Sequence, residues 1–492
     1  MNAQDLYIDA RETTTGVVLL ARDRAYKIKK AVSTAYLDFG KPALREAALL
    51  RELELNRRMC PDVYLGLTHL ADPLDGTAEP ILVMARMPAD RRLSSMVSSG
   101  QDMASALHDI ASVISDFHHR AIRGTRIDEQ ATVESVGARW KSNIAELREF
   151  CSGTVPVDTV AEIGAMVETF LLGRTALFDR RIADSRIVDG HGDLLSDDIF
   201  VLPDGPRILD CLDFDDRLRF VDTVDDASFL AMDLEFLGRE DLAADFLTSM
   251  MALSQDRPPR ALIDHYIAYR ATVRAKVDAL RMQQGEAGSV ARLERHLSLA
   301  YSHLRRAEVR LCLVGGLPGS GKSTLSAGLA EHTGAVVISS DQLRRELVEN
   351  GTLGGGADEY RQGLYSPSAM NTVYSEMLAR ARQQLTMGRS VILDATWSHA
   401  AYRRNAEALC LSTSSVLIGI YCTAPLPVAV QRIAMRTESL SDATATTAAA
   451  IEAGQDPWPE SVSIDTNIDV DVSIEAALDI WNSPGRSPVD GA

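Results

Sequence analysis

Between Gly16 and about Val32, GVVLLARDRAYKIKKAV sets two apolar β segments on either side of the polar turn Arg22-Asp23-Arg24. The next apolar positions, Leu44, Leu49, Leu53 and Met59 in PALREAALLRELELNRRM, are spaced for one face of a helix. A short strand is expected in EPILVMARMP, and helical patterning dominates from Gln101 onward. In the 190s the character changes: IFVL, PDGP and RILDCL read as a β-hairpin whose turn centres on Asp204 and Gly205. Helices are expected again from Asp222 to about Arg306.

A different alternation opens at EVRLCLVGG. Apolar strand, Gly-rich loop, helix, strand AVVISSD, helices, strand SVILDAT, helix, strand VLIGIY and helix follow one another, the pattern of a doubly wound parallel sheet. The expected division is 1–306, 307–483 and a tail, 484–492.

Composition changes this picture little. A chain of 492 residues is too long for one ordinary core, and 46% hydrophobic with 24% charged residues is a globular balance. The net charge of -18 opposes phosphate backbones and anionic membrane surfaces, so neither nucleic acid nor a membrane is an expected partner. The six cysteines form no C-x-x-C pair, which points to buried thiols in a reducing compartment. No secretory leader opens the sequence, no apolar run approaches a membrane span, and a cytoplasmic location is expected. Oligomeric state is not legible.

In GGLPGSGKST, Gly316 is followed by four residues and then Gly321, Lys322 and Ser323, the Walker A spacing between a strand and a helix. Gly316, Leu317, Pro318, Gly319, Ser320, Gly321, Lys322, Ser323 and Thr324 are the candidate phosphate-binding residues. Lys322 would neutralise the β and γ oxygens of a nucleotide, and Ser323 would ligate magnesium. Asp341 ends the next strand, where open α/β sheets bind ligands, with Arg344 one turn into the following helix. Asp341 fits a general base and Arg344 an acceptor contact, or Asp341 caps its helix. Asp394 likewise suits a magnesium shell or a helix cap, and Arg432 with Arg436, four apart, suits a lid over the phosphoryl group or a solvated face.

GLPGSGKST, SSDQLRREL, ILDATW and QRIAMR resemble the small P-loop kinases of the polynucleotide kinase, gluconate kinase and zeta-toxin type. That resemblance implies Asp341 as base, Arg344 on the acceptor, and Arg432 and Arg436 as lid arginines.

Upstream, VDGHGDLLSDDIF crowds a histidine with four aspartates ahead of an apolar segment. Hairpin pairing is expected to bring Asp198 and Asp213 to one end of the ribbon, where two carboxylates tolerate each other best around a hard cation such as Mg²⁺. Asp193 lies just before, within reach of a substrate hydroxyl. Asp197 reads as a solvated acidic turn.

HGDLLSDDI, CLDF and VDDASFLAMDL resemble the aminoglycoside phosphotransferase family, whose fold is protein-kinase-like and which phosphorylates small hydroxyl compounds. The resemblance implies Asp193 as catalytic base and Asp213 as a magnesium ligand, with Asp225 twelve residues on. It also implies a strand lysine, for which Lys29 in AYKIKKAV matches better than Lys27, and a helix glutamate, Glu52 rather than Glu46. Asp198 stands where that family usually has asparagine. His118 and His119 read as surface or satisfied core histidines; Arg270, Arg274, Lys276 and Arg281 read as a solvated face, or else as lining a domain interface or contacting an anion.

The whole pattern resembles fused bacterial proteins with an aminoglycoside-phosphotransferase-like α+β domain and an α/β P-loop domain. It implies an ATP-dependent kinase with two ATP/Mg²⁺ sites and a small hydroxylated acceptor, for which the acidic surface suits a cation. A nucleotide-sensing regulator with one silent domain is the alternative.

Overall fold

In the computed structural model, which describes residues 9–12, 15–32, 38–71, 78–151, 157–354, 363–435 and 454–483, the chain opens with a five-stranded antiparallel sheet. Its strands are β1 (Asp9–Glu12), β2 (Gly16–Ala21), β3 (Arg24–Lys29), β4 (Tyr64–Ala71) and β5 (Ala78–Ala85), in the order β1-β2-β3-β5-β4. The Arg22-Asp23 turn joins β2 to β3 with Arg22 in the left-handed region at φ 51°. β4 is an element that the apolar pattern did not announce.

Helix Pro42–Asn56 packs on this sheet, with proline in its first turn, where a missing N–H costs nothing. It buries Leu49, Glu52 and Leu55, while Leu44, expected on the apolar face, is exposed. Leu49 joins Cys60, Val63, Tyr64, Leu82, Phe200 and Leu209 in one core. Glu52, three residues beyond Leu49, is therefore carried beneath the sheet.

A helical lobe follows, holding two small ribbons: β6 (Ile187–Asp189) pairs with β9 (Phe220–Asp222), and β7 (Ile199–Leu202) with β8 (Gly205–Ile208). This is the α+β arrangement that the sequence led us to expect. The hairpin register differs. Leu202 pairs with Gly205, so the turn is Pro203-Asp204 and Asp198 falls opposite Leu209, whose N–H donates to the Asp198 carbonyl at 2.9 Å.

The second unit holds five strands, β10 (Arg310–Gly315), β11 (Val336–Ser339), β12 (Val391–Asp394), β13 (Val416–Thr423) and β14 (Val462–Asp465), all parallel in the order β11-β12-β10-β13-β14. Alternation along each strand divides the apolar residues between two faces. Cys312, Val314, Ile392, Ile418 and Ile420 pack against helices Lys322–Thr333 and Val470–Asn482 through Leu325, Leu329, Ile474 and Trp481. Leu311, Leu313, Val391 and Leu393 are buried on the other face.

The chain separates into Met1–Gly164, Phe178–Pro258 and Ile263–His303 as one unit, and Ala165–Leu177, Pro259–Leu262 and Leu304–Ala492 as the other. Within the second unit the fully buried Arg174 donates to the carbonyls of Gly173 and Thr413, both at 2.7 Å, which ties Ala165–Leu177 to helix Ala400–Thr413. All six cysteines are buried and unbridged. No helix among the described residues is long and apolar enough to cross a membrane. The expected tail, 484–492, lies outside the described residues.

Candidate functional site

In the N-terminal unit two lysines of β3 meet the buried Glu52. Lys27 Nζ lies 2.7 Å from Oε1 and Lys29 Nζ 3.1 Å from Oε2. Their second partners differ: Lys27 reaches Asp210 at 3.0 Å and Lys29 reaches Asp213 at 3.2 Å. Burial alone would drive the Lys27 proton off, but the fields of Asp210 and Glu52 win and hold its pKa well above the ordinary lysine value. Lys27 in turn pulls the Asp210 carboxyl down. Glu46 pairs instead with His69 at 3.1 Å.

Asp210 is the residue that sequence reasoning missed. The expected pairing of Asp198 with Asp213 rested on a turn one residue too far along. In the observed register, Asp198 lies opposite Leu209 and Asp210 follows immediately, in the left-handed region at φ 62°, its N–H bonded to the Tyr64 hydroxyl at 3.1 Å. Asp213 is carried away to Lys29. Asp198 is pushed well above the usual carboxylate range, by burial first and then by the fields of Asp210 and Asp193. Asp210 acts on the Asp198 charge and Asp213 is not among the leading groups that do, so Asp198 and Asp210 are the carboxylates that fit a hard cation such as Mg²⁺ sharing nucleotide phosphate oxygens.

The His191-Gly192-Asp193 loop is built from below. Asp226 Oδ2 accepts the His191 N–H and His118 Nε2, both at 2.8 Å, and Oδ1 accepts the Gly192 N–H at 2.8 Å. Burial raises the Asp226 pKa, yet these bonds and the nearby imidazoles hold it well below the usual carboxylate range. Gly192 sits at φ 84°, in the left-handed region that glycine enters without cost. The His191 ring is kept neutral, its pKa lowered to about 4 by burial. Nε2 faces the Leu209 carbonyl at 3.1 Å and Nδ1 accepts the Asp193 N–H at 3.3 Å. Burial raises the Asp193 carboxyl to about 6 against the pull of Arg274 and Arg270. His118 is thus a satisfied core histidine, and His119 is on the surface.

Helix Arg260–Gln283 passes beneath the same loop. Arg270 is buried, not solvated as a charged face would be; it donates to Asp225 at 2.7 Å and to the Gly192 carbonyl at 3.1 Å. Lys276 bonds Asn143 at 2.9 Å, and Arg281 lies 3.8 Å from Asp278. Arg274 is half-buried and makes no hydrogen bond or ion pair among the described residues.

In the C-terminal unit, Gly316 to Thr324 curl between β10 and helix Lys322–Thr333, with Gly316 at φ 136°, Gly319 at 79° and Gly321 at 87°. A methyl group on Gly316 would stand 2.5 Å from the Cys422 carbonyl oxygen, so the loop lies flush against the end of β13. Lys322 Nζ turns back to the Leu317 carbonyl at 2.9 Å. Ser323 Oγ donates to the buried Asp394 at 2.7 Å, which brings together the two residues expected at a magnesium shell. A hydroxyl and a carboxylate are the oxygen donors that Mg²⁺ takes beside phosphate, so these residues fit the ion.

Asp341 and Arg344, expected as base and acceptor contact, bind each other at 2.7 Å. Arg432 donates to the Thr466 carbonyl at 2.8 Å and lines a cleft of about 390 Å³ with Gly319, Gly321, Met435 and Val470. Thr466 also donates to the Ser320 carbonyl at 2.6 Å, bracing the loop. Arg436 lies outside the described residues.

Residues 311–457 match the AAA_33 family model, described as an AAA domain. The uncharacterized protein Rv2004c of Mycobacterium tuberculosis (strain ATCC 25618 / H37Rv) is 48% identical over 477 residues, 97% of this chain and 96% of that protein. The uncharacterized protein Mb2027c of Mycobacterium bovis (strain ATCC BAA-935 / AF2122/97) aligns equally well, 48% identical over 477 residues. Among solved structures, a choline kinase from Cryptosporidium parvum Iowa II is 10% identical, covering 62% of this chain and 90% of that chain at a TM-score of 0.40.

Proposed function

We propose that this chain, which belongs to one family with the mycobacterial proteins Rv2004c and Mb2027c, is an ATP-dependent phosphotransferase acting on a hydroxyl of a small molecule. The observation that carries this reading is the convergence of Lys27, Glu52 and Asp210 beside the loop that holds Asp193. A P-loop by itself supports nucleotide binding; a second phosphate lysine next to a carboxylate of raised pKa supports transfer. The acceptor class is a sugar, amino sugar or aminoglycoside-like compound, in the cytoplasm, with no nucleic acid or membrane involved.

Lys27, locked by Glu52, is aimed at nucleotide phosphate, and Asp193 takes the proton of the acceptor hydroxyl. The acceptor oxygen forms a bond to the terminal phosphorus while the bond from that phosphorus to the bridging oxygen breaks, and ADP leaves with the electron pair. Mg²⁺, when bound at Asp198 and Asp210, supplies charge neutralisation of the phosphates. In the C-terminal unit, the 316–324 loop, Lys322 and Ser323 with Asp394 hold a second ATP, Asp341 serves as base beside Arg344, and Arg432 and Arg436 serve as lid arginines.

The test is ADP release by the full chain with magnesium and a panel of hydroxyl compounds, repeated with Asp193→Asn and Lys322→Ala. Acceptor-stimulated release lost on Asp193→Asn supports the reading; release indifferent to both substitutions refutes it. A second reading, a nucleotide-sensing regulator with a silent N-terminal domain, draws on Asp198 standing in place of asparagine. It requires nucleotide binding without transfer by that unit.

A further inference from the structure

Buried arginines of the N-terminal unit close onto carboxylates. Arg181 holds Asp222 and Asp256, Arg219 holds Asp189 and Asp216, and Arg270 holds Asp225, all at 2.6 to 2.9 Å. Arg274 and Asp193 do not follow this habit. Arg274 lies one helical turn beyond Arg270, whose guanidinium is bonded to the Gly192 carbonyl, so it faces the same loop. No nitrogen of Arg274 comes within 4.0 Å of a carboxylate oxygen among the described residues. The Asp193 carboxylate likewise accepts no hydrogen bond there; its loop is fixed through the peptide N–H. Both side chains are half-buried and reachable from solvent.

The two nevertheless feel each other. Arg274 is the leading charge acting on Asp193, and it acts also on Asp233, which holds Ser196 of the loop at 2.5 Å. The cations acting on Asp198 and Asp210 are instead Lys27 and Lys29. A guanidinium and a carboxylate held apart, each with unused hydrogen-bonding capacity, are arranged to be bridged by one molecule.

We infer that the acceptor of the N-terminal unit is a hydroxy compound carrying a carboxylate or phosphate, with Arg274 holding that anion while the hydroxyl faces Asp193. The inference rests on the reading of Asp193 as the base. It narrows the acceptor to sugar-acid-like or phosphorylated compounds, the opposite of what the net charge of the chain suggests, because the leading charge acting on Asp193 is the Arg274 cation.

The test is calorimetric titration of glycerate, glycerol 3-phosphate and glycerol into the full chain bearing Lys322→Ala, in magnesium-free buffer, so that neither the P-loop nor a metal ion captures the anion. Glycerate or glycerol 3-phosphate is expected to bind where glycerol does not, and whichever binds identifies the anion. Arg274→Gln is expected to weaken that binding about 10- to 100-fold, with Arg274→Lys retaining part of it and thermal unfolding unchanged in both. Equal binding of all three compounds, no binding of either anion, or binding that survives Arg274→Gln overturns the inference. Failure of the kinase reading is seen separately, as magnesium-ATP turnover that ignores Asp193→Asn.

Discussion

Asp226→Asn is the substitution with the most calculable outcome. Three donors converge on this carboxylate at 2.8 Å: the His191 and Gly192 peptide N–H groups and His118 Nε2. An asparagine keeps the shape but replaces one acceptor oxygen with a donor, so at least one buried N–H faces an N–H. An uncompensated buried donor costs about 1–3 kcal/mol, and turning the surviving bonds from charge-assisted to neutral costs roughly 1 kcal/mol each. The loop cannot relax by approaching, since a methyl on Gly190 would already stand 2.6 Å from Oδ2. The expected loss is about 3–5 kcal/mol, a large part of the 5–15 kcal/mol typical of a domain. Urea unfolding, read on Trp140 after the other tryptophans are changed to phenylalanine, measures it in the N-terminal unit. The folded Asp226 pKa is depressed, so this stabilisation is fully present above the unfolded carboxylate value of about 3.9 and fades as pH falls through the folded one. The gap between wild type and variant must therefore close in acid. A variant within about 0.5 kcal/mol of wild type at pH 7, or a gap that widens in acid, refutes the reasoning.

Gly316→Ala places a methyl 2.5 Å from the Cys422 oxygen at φ 136°, so magnesium-ATP affinity at the P-loop, measured by calorimetry, is expected to fall at least about 10-fold. Lys27→Met leaves Asp210 without its nearest cation and is expected to lower N-terminal kcat/KM by roughly 100-fold, with Lys29→Met doing less; the reverse order would return the phosphate role to Lys29. With the Asp193 carboxyl raised to about 6, N-terminal turnover should climb as pH rises toward 6 and level off above it, a limb that Asp193→Asn must lack. Arg181→Met strands Asp222 and Asp256 as buried charges and should cost about 3–5 kcal/mol in urea unfolding.

The P-loop was legible because its chemistry is written in consecutive residues: the glycines, Lys322 and Ser323 stand at a fixed spacing from a strand and a helix. The parallel sheet was legible for a similar reason, its strands being continuous apolar runs. The N-terminal cluster was harder. Glu52 was implied by the resemblance to the aminoglycoside phosphotransferases, but the choice between Lys27 and Lys29 depended on partners 183 and 184 residues away. Asp210 was hidden by the hairpin register: a turn one residue earlier moves each cross-strand partner by two, which sets Leu209 opposite Asp198 and Asp210 next to it. Asp226 carried no signal in its own neighbourhood, because its donors come from helix Ala104–Arg120 and the 191–192 loop, brought together by the fold. Arg270 looked solvated because periodicity marks which residues share a face and not what that face meets.

Every thiol of the chain is sealed off from solvent, and burial lifts Cys60, Cys211, Cys410 and Cys422 to about 12. At neutral pH the reactive thiolate is therefore nearly absent at these positions, and maleimides and iodoacetamides should pass the folded protein by. One cysteine engineered onto the surface of each half can then carry a dye or spin probe with no background, so the spacing between the pair during nucleotide addition becomes measurable in an otherwise unaltered chain.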